Sequence, residues 1–140
     1  MTYTDTPQSV VIEGITEPAI VNYFATINRE DFAATANLFS DSGVLNAPFE
    51  KPIVGQKAIA SYLAKEARGM KLLPKQGIST IVAEDCQEIK VTGKVKTPLF
   101  GVNVAWHFDL DRNDKITSAT IKLLASPQEL LGLKQSKEQS

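Results

Sequence analysis

Residues 89–110 alternate apolar and polar side chains through two successive stretches, and a period of two over that length specifies a half-buried β-hairpin. In the first stretch Ile89, Val91, Gly93, Val95 and Thr97 share one face, while Glu88, Lys90, Thr92, Lys94 and Lys96 share the other. In the second, Val102, Val104, Trp106, Phe108 and Leu110 face inward and Asn103, Ala105, His107, Asp109 and Asp111 outward. Thr97-Pro98-Leu99-Phe100-Gly101 joins the two. A buried indole needs an acceptor for its N–H, so Trp106 is either a satisfied core residue or a donor awaiting a ligand. His107 has the opposite parity and reads as a solvated surface histidine beside Asp109.

The rest of the chain supplies the cover for this sheet. Thr16-Glu17-Pro18 reads as an N-cap and first turn, followed by Ile20, Tyr23, Phe24 and Ile27 at helical spacing. Asp31 caps a second helix in which Phe32, Thr35, Leu38 and Phe39 share a face. A short β-like piece follows at residues 44–47, and Pro48 and Pro52 limit pairing beyond it. A third helix is expected over residues 56–68, with Ile59, Tyr62, Leu63 and Ala67 inward and Gly69 ending it. Strands are then expected at 71–73, 78–84, 87–97, 102–110 and 115–124, the last with Thr117, Ala119, Ile121 and Leu123 inward. Ser126-Pro127-Gln128-Glu129 opens a terminal helix through Leu133. The expected organisation is a loose arm at 1–14, one domain at 15–134 and a polar tail at 135–140. The fold class is α+β, with helices packed on a curved, mainly antiparallel sheet that closes into a cone around a cavity.

Composition narrows the function classes. The chain has 140 residues, 43% of them hydrophobic and 22% charged, which suits one domain with a real core. A net charge of −1 without a basic cluster argues against nucleic acid. No apolar run reaches the length of a membrane span and the N-terminus lacks a signal-peptide pattern, so a soluble cytoplasmic protein is expected. The single cysteine, Cys86, forms no internal disulfide, and no Cys and His spacing marks a structural metal. The inward set contains no Asp, Glu, His, Lys or Arg, whereas acid–base catalysis needs a positioned titrating group. Such a cavity suits a large apolar molecule with a weak acceptor, and Tyr23 and Trp106 are the donors that could meet it.

Several separated motifs carry a resemblance. Pro52-Ile53-Val54-Gly55, Met70-Lys71-Leu72-Leu73-Pro74 with Gln76-Gly77-Ile78-Ser79, residues 89–101, Asn103-Val104-Ala105-Trp106 and Leu123-Leu124-Ala125-Ser126-Pro127 occur in the order found in one family. Over residues 16–133 the chain resembles the C-terminal domain of the cyanobacterial orange carotenoid protein, of the nuclear transport factor 2-like superfamily. The resemblance implies binding of a keto-carotenoid of the echinenone or canthaxanthin type, its ring carbonyl hydrogen-bonded by Tyr23 and Trp106. It further implies a tunnel lined by Val54, Met70, Leu72, Thr97, Pro98, Leu99, Phe100, Phe108, Ile121 and Leu123. The helical N-terminal domain of that protein has no counterpart here, which implies a carotenoid carrier that delivers pigment to a helical carotenoid-binding partner, collects it by transient membrane contact and quenches reactive oxygen. Leu99 replaces an aromatic usual in that family.

A domain of this size is about 35 Å wide and a carotenoid is almost as long, so one cone cannot enclose it end to end and a homodimer around one pigment is expected. Related cones include isomerases, dehydratases and cyclases, and a small enzyme for an apolar substrate is the alternative reading, with Glu17, Glu50 and Glu66 the nearest acids. A pure protein-interaction module is a second one.

Overall fold

The computed structural model describes residues 10–124. Three helices, α1 (Pro18–Asn28), α2 (Phe32–Ala36) and α3 (Gln56–Glu66), pack on a sheet of six strands: β1 (Phe39–Asn46), β2 (Ile53–Val54), β3 (Lys71–Ala83), β4 (Cys86–Lys96), β5 (Gly101–Leu110) and β6 (Ile116–Leu124). The strand order is β2-β1-β6-β5-β4-β3. Neighbours are antiparallel except β1 and β6, which run parallel and are joined through β2, α3 and the long β3–β4–β5 meander. The fold is the expected α+β class with helices on one sheet face.

The two alternating stretches form β4 and β5, paired residue for residue from Gln87 opposite Leu110 to Lys96 opposite Gly101. Ile89, Val91, Val104, Trp106, Phe108 and Leu110 are buried, as their parity requires. On α1, Ile20, Tyr23, Phe24 and Ile27 close over them.

Several boundaries differ from the sequence expectation, each for a physical reason. Glu17 rather than Thr16 takes the N-cap position of α1, and its carboxylate leaves the helix end to accept hydrogen bonds from Ser79 Oγ at 2.7 Å and Gln87 Nε2 at 2.8 Å. Burial opposes the charge on Glu17, but these hydrogen bonds outweigh it and its carboxyl titrates below the ordinary range. Asp31 does cap α2, accepting from the Ala34 N–H at 3.2 Å, but that helix is short and Phe39 already belongs to β1. The expected strands at 71–73 and 78–84 are one strand: Pro74 is tolerated because β3 is the edge of the sheet, and a register shift between Pro74 and Gln76 absorbs it. On β6 a second register shift, opposite Asp109 and Leu110, turns Ile116 into the core in place of Thr117, whose hydroxyl donates to the Asp109 carbonyl.

Residues 12–15 are not a loose arm. Ile12 and Ile15 are buried, and Glu13 lies alongside β3, its N–H donating to the Lys75 carbonyl at 3.2 Å while its own carbonyl accepts from the Gly77 N–H at 2.8 Å. The contact works only because both strands carry glycine. Gly14 has φ +88°, and a Cβ on Gly77 would stand 2.5 Å from the Lys90 carbonyl oxygen and 2.8 Å from Ile15 Cγ1. The expected terminal helix at 126–133 and the polar tail lie outside the described residues.

Gly77→Ala should therefore cost about 1–3 kcal/mol through overpacking against backbone. Ile78→Ala, at an exposed neighbouring position, should cost under about 0.5 kcal/mol. Urea unfolding followed by circular dichroism checks both.

Candidate functional site

Between the helices and the concave face of the sheet lies a cavity of about 290 Å³. Its buried end is formed by Tyr23 on α1, Leu45 on β1, Leu63 on α3, Leu72 on β3 and Val104 and Trp106 on β5. Its outer end is formed by Glu66, Phe100 and Leu123, all exposed. The walls are almost wholly apolar.

The two donors are held by aromatic packing. Phe24 stands edge-on to Trp106, with centroids 4.7 Å apart at 88°, and Tyr23 stands edge-on to Phe108 at 4.9 Å and 76°. Because Tyr23 and Phe24 are consecutive on α1, one helix surface sets the position of both rings against β5. Both donors are 1% exposed, and neither the Tyr23 hydroxyl nor Trp106 Nε1 hydrogen-bonds to any described residue. Most buried polar groups find a partner, so two donors that line one apolar cavity without a partner among the described residues are the candidates to meet an acceptor there. Burial, and secondarily the nearby Tyr62, pushes the Tyr23 phenol far above its ordinary value, so it remains a neutral donor. Tyr62 at the cavity wall is likewise raised, by burial and then by Glu50 and Glu66.

The wall is anchored at β3 by Asn28, the last residue of α1. Its Nδ2 donates to the Leu72 carbonyl at 2.9 Å and its Oδ1 accepts from the Leu72 N–H at 2.7 Å, replacing a strand neighbour with a side-chain amide. At the other end Thr97 holds the β4–β5 turn: its Oγ1 accepts from the N–H groups of Leu99 and Phe100 at 3.2 and 3.0 Å. The one polar side chain in the expected lining is thus committed to the turn that places Phe100.

Of the expected lining residues, Met70, Leu72, Thr97, Phe100, Ile121 and Leu123 join Tyr23 and Trp106 in the cavity. Four do not. Val54 is 56% exposed and lines a separate hollow with Asp41 and Gln56, because β2 is the far edge of the sheet. Phe108 is fully buried beneath Tyr23 and Phe24, a support for the donors rather than a wall. Pro98 sits over Gly69 at the end of α3, and Leu99 is 87% exposed at the tip of the turn. Leu45, Ala47 and Pro48 were missed as walls, since a mixed strand ending in proline gives no clear inward face. Glu66 also lines the cavity, against the expectation of an acid-free interior, but it lies at the exposed end. Among the described residues no second carboxylate and no histidine joins it there.

Tyr23→Phe should leave stability within about 0.5 kcal/mol of the parent, since the hydroxyl forgoes no described hydrogen bond, whereas Phe24→Ala should cost about 3–5 kcal/mol. Raised in the fold, the Tyr23 pKa makes its contribution to stability fully present below about pH 10 and lost as pH climbs beyond that. In a spectrophotometric titration of the three tyrosines, one should ionise only as the protein unfolds, and Tyr23→Phe should abolish that late step.

With this geometry in hand, comparison with known proteins is informative. No family model matches the chain. It is 41% identical over 128 residues to the orange carotenoid-binding protein of Limnospira maxima, covering 89% of this chain and 40% of that protein. It superposes on the orange carotenoid protein of Anabaena (Nostoc) sp., solved binding canthaxanthin, with a TM-score of 0.82 and 40% identity, covering 94% of this chain and 44% of that one. A ketosteroid isomerase-like protein from Erwinia carotovora atroseptica shares the fold alone, at TM-score 0.62 and 17% identity, with 79% of this chain and 94% of that one covered. The chain spans about 40% of the length of the curated relatives it matches. The chain is a homologue of the orange carotenoid-binding proteins over about 40% of their length and has the nuclear transport factor 2-like fold.

Proposed function

We propose that this chain binds a keto-carotenoid non-covalently, seating one ring in the cavity with its carbonyl oxygen accepting from the Tyr23 hydroxyl and Trp106 Nε1. The observation that carries the reading is the pair of buried, unpartnered donors in an otherwise apolar cavity. Homology to carotenoid-binding proteins, one of them solved binding canthaxanthin, supports a carotenoid ligand, which we take to be of the echinenone or canthaxanthin type. The chain acts by binding and not by catalysis.

The size of the cavity fits one end of such a molecule and no more. A volume of about 290 Å³ is at the lower limit for a small-molecule pocket. The remaining polyene passes the apolar mouth at Phe100 and Leu123 and needs cover. A second copy supplies it: two chains meet mouth to mouth around one pigment, each Tyr23 and Trp106 pair holding one ring. Sedimentation of the loaded protein should give two chains per pigment, and a mass of one chain per pigment refutes the dimer.

Burying roughly 400 Å² of polyene is worth about 10 kcal/mol before association costs, against about 0.5–1.5 kcal/mol for each neutral hydrogen bond. Burial therefore sets affinity, while the two donors set register and colour. Non-covalent attachment permits release, which supports a carrier role. The protein works in the cytoplasm, takes up pigment in a brief contact with a membrane, hands it to a helical carotenoid-binding acceptor and quenches reactive oxygen while loaded.

Trp106→Phe should shift the absorption band of bound canthaxanthin while reducing retained pigment less than tenfold. Complete loss of pigment from a folded Trp106→Phe variant contradicts this division of labour. Absence of any coloured complex in the parent protein refutes the function itself.

A further inference from the structure

The outer face of the sheet, opposite the cavity, gathers one histidine and two carboxylates that neither the fold nor the cavity uses. Glu88 on β4 stands directly across from Asp109 on β5, and His107 precedes Asp109 by two residues on the same face. One ligand atom from each of the three lies within 4.8 Å of the others. His107 Nε2 is sealed from solvent and has no hydrogen-bond partner among the described residues. The Asp109 Oδ1 nearest to it is 3.8 Å away, beyond hydrogen-bond range. The second oxygen of Asp109, Oδ2, accepts from Ser118 Oγ at 2.7 Å, which fixes the carboxylate plane and leaves Oδ1 toward the histidine.

Three unfavourable features therefore coincide at one point. Two carboxylates oppose each other across adjacent strands, a buried imidazole nitrogen is unpaired, and an oriented carboxylate oxygen stands too far away to pair with it. A divalent cation relieves all three. Bonds of about 2.0–2.2 Å to imidazole nitrogen and carboxylate oxygen allow ligand atoms up to roughly 4 Å apart, which the His107–Asp109 separation meets and Glu88 reaches by a small rotation. One nitrogen and two carboxylate oxygens, without thiolate, suit zinc, cobalt or nickel better than magnesium or calcium. Lys90, directly across from His107, is the one cation paired against the site, and its exposed, flexible stem lets the ammonium turn into solvent.

We propose that Glu88, His107 and Asp109 form a binding site for a zinc-class divalent ion on the outer sheet face, with the fourth position left to water or an incoming ligand. The site is independent of pigment. No local spacing announces it, since its ligands come from two strands and assemble only through the β4–β5 register.

The test is a titration of the chain, free of any affinity tag and stripped with chelator, with Co²⁺ monitored by its visible ligand-field absorption and displaced by Zn²⁺. One ion per chain is expected, with affinity reduced at least tenfold in His107→Ala and in Asp109→Asn. Lys90→Ala should bind as tightly as the parent or more tightly, and circular dichroism should show all variants folded. No cobalt spectrum at millimolar Co²⁺ overturns the proposal, as does an unchanged affinity in folded His107→Ala, which would mean an adventitious ion held elsewhere.

Discussion

The packing of α1 against β5 is the contact on which the rest of the molecule depends. Four rings, Tyr23, Phe24, Trp106 and Phe108, interlock edge to face, and each of the pairs Tyr23–Phe108 and Phe24–Trp106 joins the helix to the strand. Edge-to-face pairs add about 0.5–1.5 kcal/mol apiece beyond the area they bury, so the cluster stabilises the domain and fixes orientation together. The same contact shapes the cavity: Phe24 and Phe108 are fully buried props, and Tyr23 and Trp106 are the two rings of the cluster that line it. Stability and site cannot be separated here, because the residues that position the donors are the centre of the core.

Around that contact the cavity is an area the fold does not fill. Beyond α1 it is lined by Met70, Val95 and Phe100, with Tyr62, Leu63 and Glu66 of α3 and the following Ala67 also in its wall. Apolar walls keep the space unattractive to water, and the unsatisfied phenol and indole give it one polar end. A long apolar molecule with a carbonyl at its tip matches both features.

Most of this was legible in the sequence because parity in a strand is unforgiving: a shift of one residue at Trp106 would have turned a charged face inward. The paired strands and the inward set of β5, Trp106 included, followed from that, and helical spacing placed Tyr23 on the buried side of α1. What was not legible depended on events between elements. Pro74 looked like a break because edge position, which licenses proline, is a property of the sheet and not of the strand. Ile116 displaced Thr117 through a bulge set by its partner strand. Val54 and Leu99 carried motif resemblance but point away from the cavity, since a motif preserves order along the chain and not direction in space. His107 was correctly placed on the outer face, yet its company there, Glu88 and Asp109, needed the register of two strands.

The claim that two paired donors recognise a ring carbonyl is tested most directly by comparing two pigments of equal length, canthaxanthin and β-carotene, which differ in their carbonyl groups. Titrated into the purified protein, canthaxanthin should bind about 5- to 150-fold more tightly for each ring held, the equivalent of two hydrogen bonds per carbonyl worth about 1–3 kcal/mol together. That preference should disappear in the Tyr23→Phe/Trp106→Phe double variant. Equal affinity for both pigments in the parent protein would contradict recognition of the carbonyl and leave the cavity as an apolar hole without a polar reader.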